Sequence, residues 1–228
     1  AGLCGCAATV SSPKEEGGVN PAEPGVSSGP RAAVLWTPLG QAARQTDDPA
    51  VIRSLVRAGE DPSGRNRYGA TALMYAGLSN PSVAVIQALI AAGADPNDAD
   101  DDELTPLMYA AQENTPEVVR ALLEAGALPN AQTQYGWTAL MAAAATNSPA
   151  VIRALVVGGA DPNGTDGYGL TPLMLAAALN PDPAVIEALV ESGAKVEAVD
   201  ARADTALDYA RQQDNAGAVT VLVELGGK

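Results

Sequence analysis

Histidine and phenylalanine are absent from this chain of 228 residues. The first absence removes the commonest general base, the commonest neutral metal ligand and every Ser–His or Cys–His nucleophile pair. The second, with only two tryptophans and six tyrosines present, speaks against an aromatic-centred sandwich and for closely packed short helices built from alanine, leucine and valine. Cations are scarce as well. Lys plus Arg number 13 against 27 for Asp plus Glu, a formal net charge of −14, which repels a phosphate backbone, so no nucleic acid is expected as a partner. A basic protein surface is favoured instead, because acidic charge speeds encounter with it. No apolar run reaches the roughly 18 to 20 residues that a membrane-spanning helix requires. A Gly-rich phosphate loop is lacking too, and the carboxylates recur at regular intervals along the chain rather than converging. Neither catalysis nor a cofactor is expected.

Both cysteines fall in the opening run Ala1-Gly2-Leu3-Cys4-Gly5-Cys6, so no disulfide can brace the remainder of the chain. Leu3-Cys4-Gly5-Cys6 resembles a bacterial lipoprotein lipobox, with Leu three before the acceptor and a small residue just before it. On this reading Cys6 carries the lipid, Leu3 ends a lost apolar segment, and the protein sits in the bacterial cell envelope or periplasm. Two other readings stand beside it: a pair of redox-active or metal-binding thiols, and a remnant without function. The localisation is then secreted or cytoplasmic. Residues 1–30 are crowded with Ser, Gly, Pro and Glu, as in Ser11-Ser12-Pro13 and Ser27-Ser28-Gly29-Pro30. Such a composition predicts an extended tether, with a folded domain over 31–228.

Within that domain the chain repeats itself. Thr37, Thr71, Thr105, Thr138, Thr171 and Thr205 open nearly the same phrase at spacings of 34, 34, 33, 33 and 34. Gly59, Gly93, Gly126, Gly159, Gly193 and Gly226 run in step with them. Each Thr predicts a helix N-cap, and the Pro that comes next in Thr105-Pro106 and Thr171-Pro172 suits a first turn whose nitrogens have no intrahelical acceptor. A second helix is announced by Asp48-Pro49, Thr115-Pro116, Ser148-Pro149 and Asp182-Pro183, and it ends at the recurring Gly, which takes a left-handed cap. Loops beginning at Asp95-Pro96-Asn97 and Asp161-Pro162-Asn163 then turn at Tyr68-Gly69, Tyr135-Gly136 and Tyr168-Gly169.

Thr-Pro-Leu-Met-x-Ala-Ala, an aliphatic helix and Ala-Gly-Ala-Asp-Pro-Asn together resemble the ankyrin repeat over about Leu35 to Gly227. The resemblance implies an all-α solenoid of about six helix-turn-helix repeats with β-turn loops, monomeric, binding another protein on its concave face. Two departures are visible. Met74, Met108, Met141 and Met174 replace the family's His, which should remove a capping side-chain hydrogen bond. Asn at the turn between helices, as at Asn80, Asn114, Asn147 and Asn180, replaces the usual Gly. Both read as a bacterial variant of the repeat.

The concave face supplies the candidate site. Tyr68, Tyr135, Trp137 and Tyr168 are aromatic residues at loop tips, suited to anchoring a partner; the other reading of the tyrosines is packing on the adjacent loop. Trp137 stands where other repeats carry Ala70, Leu104, Leu170 and Asp204, so its position is expected to be free of packing demands. Gln112, Glu113, Thr146 and Leu179 come after the first helices and vary between repeats. The acidic run Asp98, Asp100, Asp101, Asp102 and Glu103 carries the alternative function, a ligand- or ion-binding accessory protein using this loop of the third repeat, although the run lacks the spacing of a calcium loop.

Overall fold

The computed structural model describes residues 37–227; Cys6 and the tether expected over 1–30 lie outside them. Twelve helices succeed one another in six pairs: α1 (Pro38–Gln45) and α2 (Pro49–Arg57), α3 (Ala72–Ser79) and α4 (Val83–Ala91), α5 (Pro106–Glu113) and α6 (Pro116–Glu124), α7 (Ala139–Thr146) and α8 (Pro149–Val157), α9 (Pro172–Leu179) and α10 (Ala184–Glu191), α11 (Ala206–Gln212) and α12 (Ala216–Glu224). Among the described residues there is no strand, only an isolated bridge between Val199 and Thr205. The second helix of the fifth pair starts one residue later than Asp182-Pro183 suggested, with Asp182 still accepting from the Ala184 N–H.

Helices this short are marginal alone, so packing between repeats must hold them. The odd-numbered helices pack in one row and the even-numbered in another, and each pair packs on itself. Leu39, Leu73, Leu107, Leu140, Leu173 and Leu207 of the first row meet Ile52, Ile86, Leu122, Ile152, Ile186 and Leu222 of the second in one buried cluster. Each such side chain stabilises the fold by about 1.5–3 kcal/mol on burial. Ala43, Gly77, Ala111, Ala144 and Ala177 occupy one position of the first row and are buried. A methyl on Gly77 would stand 2.8 Å from the Pro106 carbonyl. The small side chains let successive odd helices pack more extensively on one another than successive even ones do. In the last repeat Arg211 holds this position and is exposed.

Thr hydroxyls cap the first row as expected: Thr105, Thr138 and Thr171 each accept from the N–H three residues on at 3.3 Å. The methionine expectation needs correction. The sulfurs of Met74 and Met174 accept from the Thr71 and Thr171 N–H at 3.3 and 3.4 Å, so a soft acceptor stands in the reciprocal cap at these two repeats. In the last repeat Asp208 takes that role at 2.9 Å.

Two asparagine ladders tie the repeats together. Asn114 Nδ2 donates to the carbonyls of Gly77 at 2.6 Å and Asn80 at 3.0 Å, both in the preceding repeat. Asn147 and Asn180 repeat the pattern toward Asn114 and Asn147, and Asn215 closes it on Asn180. Each Asn thus satisfies orphan carbonyls at a neighbour's helix end. On the loop side Asn97, Asn130 and Asn163 donate to the next repeat's Gly126, Gly159 and Gly193 carbonyls at 3.0, 2.8 and 2.9 Å.

Candidate functional site

The loop tips are built around one short polar side chain. Asn66, Asp100, Thr133, Asp166 and Asp200 occupy equivalent positions and accept from backbone N–H groups two or four residues ahead, which fixes each tip as a tight turn. The residue after the turn has positive φ in every tip. Gly69, Gly136 and Gly169 fill that position in three loops, while Glu103 at φ 63 and Ala203 at φ 66 fill it in the others. Glycine matters here for a second reason. A Cβ on Gly69 or Gly136 would come within 2.8 Å of the next loop's backbone. Where glycine stands, the loops zip: the carbonyls of Tyr68, Tyr135 and Tyr168 accept from Asp101, Gly167 and Ala201 N–H at 3.1, 2.9 and 3.1 Å. No corresponding bond joins Asp102 to Gln134, at the tip where Glu103 stands in place of glycine.

This bracing holds the Tyr main chain but leaves its ring outside. Tyr68, Tyr135 and Tyr168 are 51, 61 and 54 % exposed. The alternative expectation, packing on the neighbouring loop, is met by the main chain, while each tyrosine as a whole keeps about half its surface exposed. Arg67 lies 4.6 Å over the Tyr68 ring centroid and donates to its hydroxyl. Trp137 departs from expectation. It is half-buried against the core, as are its equivalents Leu104 and, more deeply, Ala70 and Leu170, so packing does fix this position. The equivalent Asp204 of the last repeat is half-buried as well, and pairs with Arg202 at 3.4 Å.

Gln112, Glu113, Thr146 and Leu179 lie in the last turns of α5, α7 and α9 rather than beyond them. Six or seven helical residues separate them from the tips, roughly 10 Å along the helix axis. Glu113, Thr146 and Leu179 are exposed and Gln112 is half-buried. The Thr146 hydroxyl donates to the Gln112 carbonyl at 2.9 Å, so these two form a continuous strip. Between the two lines stand Tyr75 and Tyr109, half-buried on α3 and α5, which sequence reasoning passed over. Asn66 Nδ2 donates to the Tyr75 hydroxyl at 2.5 Å, and the Tyr109 hydroxyl donates to Asp100 Oδ2 at 2.6 Å. The readable signal was a Tyr four residues after the capping Thr, nine after the polar tip residue, in the second, third and sixth repeats.

The acidic run does not form a ligand set. Asp98 is paired with Arg65 at 2.5 Å. Asp100 is buried and turned inward to Tyr109 and its own loop. Only Asp101, Asp102 and Glu103 face outward, and among the described residues no group of three or more acids, cysteines or histidines is placed to hold a metal ion. Burial pushes the Asp100 carboxyl above its ordinary range despite the bonds from Tyr109, Leu104 and Asp102. Burial and the bond to Asp100 push the Tyr109 hydroxyl up as well. Asp200 holds the same place in the last tip, yet goes the other way. Burial raises it, but the Asp204 N–H, Tyr209 and Arg202 outweigh that and hold it low.

Among the described residues no helix is long and apolar enough to cross a membrane. A family model described as ankyrin repeats matches the chain in three copies, over residues 78–166 and 141–228. A comparison with curated proteins finds no match.

Proposed function

Because the chain belongs to the ankyrin repeat family, a family whose repeats mediate protein–protein interaction, we propose that it is a non-catalytic scaffold that holds a partner protein on its concave face. One observation supports this reading above the rest: Tyr68, Tyr135 and Tyr168 have their backbones braced between neighbouring loops while each residue as a whole stays more than half exposed. Rings held this way lose little freedom on binding, so the area they bury is converted into affinity rather than spent on ordering. Trp137 contributes its exposed edge beside Tyr135. Gln112, Glu113, Thr146 and Leu179 form the far rim, and Asp101, Asp102 and Glu103 favour a partner with a basic segment.

The partner is expected to crosslink to the tips and not to the back. A photoreactive phenylalanine placed at Tyr135 and, separately, at the exposed Val157 on α8 makes the comparison within one native lysate. A protein captured from Tyr135 and absent from Val157, lost again with Tyr168→Ala, supports the face. Equal capture from both positions rejects it. We further propose that Cys6 is a lipid acceptor that displays this face from a bacterial envelope. The lipobox-like Leu3-Cys4-Gly5-Cys6 supports it. Mass spectrometry of the amino terminus from native membranes should find an acylated Cys6, and an unmodified thiol there would refute the anchor.

A further inference from the structure

The cations of this molecule are not spread as its acids are. Residues 37–70 carry five arginines against four acids, whereas residues 71–227 carry five cations against twenty acids. Of the four arginines on the even-numbered helices two are matched: Arg120 pairs with Glu117 at 2.5 Å and Arg153 with Glu191 at 3.2 Å. Arg53 and Arg57 are the other two. They lie four residues apart on α2, on the same side of the helix, exposed, and neither pairs with a carboxylate among the described residues. Like charges at this spacing oppose each other, and no ion pair among the described residues offsets it.

Both arginines line a groove of about 430 Å³ between α2 and α4. Its opposite wall is Ala84, Ala88, Ala91 and the amide of Gln87. The groove exists because the positions matching Arg53 and Arg57 on α4 are Gln87 and Ala91, where α6 and α10 carry charged residues. An alanine floor beside two such guanidinium forks suits a ligand that brings carboxylates to the arginines and an aliphatic side chain to the alanines.

We propose that the α2/α4 groove binds a short acidic peptide segment of a partner protein, on the face opposite the loop tips. The width of the basic region selects this occupant. A planar anionic membrane or a nucleic acid would approach the acidic helices α6, α10 and α12 together with α2, and Glu117, Glu124, Glu187, Glu191 and Glu224 would repel it. A peptide that spans a single groove meets Arg53 and Arg57 alone.

The test is a titration of the full ¹⁵N-labelled chain with the hexapeptide Glu-Leu-Glu-Glu-Leu-Glu, monitored by amide and arginine Nε resonances. Saturable shifts should gather on Arg53, Arg57, Gln87, Ala88 and Ala91. The double variant Arg53→Gln with Arg57→Gln changes only exposed side chains, so it should keep the amide spectrum of the folded chain and bind about tenfold or more weakly. The peptide with Gln in place of Glu should cause no saturable shift. Three results would overturn the proposal: shifts elsewhere or none, equal binding by the variant or by the Gln peptide, or capture by vesicles of equimolar phosphatidylcholine and phosphatidylserine without any response to the hexapeptide.

Discussion

Asp100 and Asp200 occupy the same place in two loops and are held by the same backbone N–H pattern, yet their ionisation runs in opposite directions. Asp100 is the more deeply desolvated of the two and has Asp102 beside it, whereas the less desolvated Asp200 also accepts from Arg202, whose Nε lies 3.2 Å from its Oδ2. A carboxyl whose pKa is raised on folding stabilises the protein below the unfolded value near 3.9, and that contribution is lost as pH rises through the folded value. At neutral pH the ionised Asp100 therefore weakens the fold. Asp100→Asn should raise the thermal midpoint at pH 7, since Asn66 already shows an amide donating to the matching tyrosine, and the gain should shrink as the pH falls through the folded value of Asp100. Asp200 has its pKa lowered, so its contribution is present above the unfolded value and lost as pH falls through the folded one. Asp200→Asn should lower the midpoint at pH 7, with the deficit fading in acid. Midpoints for both variants across pH 3 to 8, read by circular dichroism, test the pair, and equal signs at pH 7 would contradict it. None of this was legible in a run of five acids, because the sequence does not say which carboxyl turns inward. The tip position did carry a signal, a short hydrogen-bonding side chain in every loop.

At the scale of helices and loops, the features plain in the sequence were those that depend on neighbours a few residues apart. Thr caps and left-handed Gly residues are local demands, and they placed the helix boundaries nearly to the residue. The asparagines were visible only as replacements for Gly. Their bonds run to residues 33 to 38 positions away, and only their recurrence with the repeat hinted at a shared task. Trp137 misled because Ala70, Leu104 and Leu170 differ in size; all are apolar, and that common property was the better guide. Asn114→Ala should cost about 1–3 kcal/mol, since it leaves buried carbonyls of the preceding repeat unpaired. Urea denaturation measures it, and Ser63→Ala, at a loop position that donates to no neighbour's carbonyl, is the control expected to cost far less. Glu103→Gly should stabilise by about 1 kcal/mol, because a left-handed side-chain-bearing residue is relieved. It should also allow Gln134 to bond the Asp102 carbonyl, seen as slower hydrogen exchange of the Gln134 amide. Unchanged exchange would show that the Glu103 side chain is not what parts these tips.

Over the stack as a whole, each repeat touches only its neighbours, and the ladders, the alanine-lined row and the loop zipper all act between adjacent units. Stability is then close to a sum of repeat and interface contributions, and the surface not used for stacking is left for partners. The most direct test is to excise one internal repeat, residues 138–170, joining Trp137 to Thr171 so that a Thr-capped helix again comes after a complete loop. The shortened chain should fold, unfold cooperatively at a lower midpoint, and show a urea dependence reduced by about one sixth, in proportion to the surface removed. A chain left unfolded by this excision would contradict the account, because contacts beyond nearest neighbours would then be holding the structure.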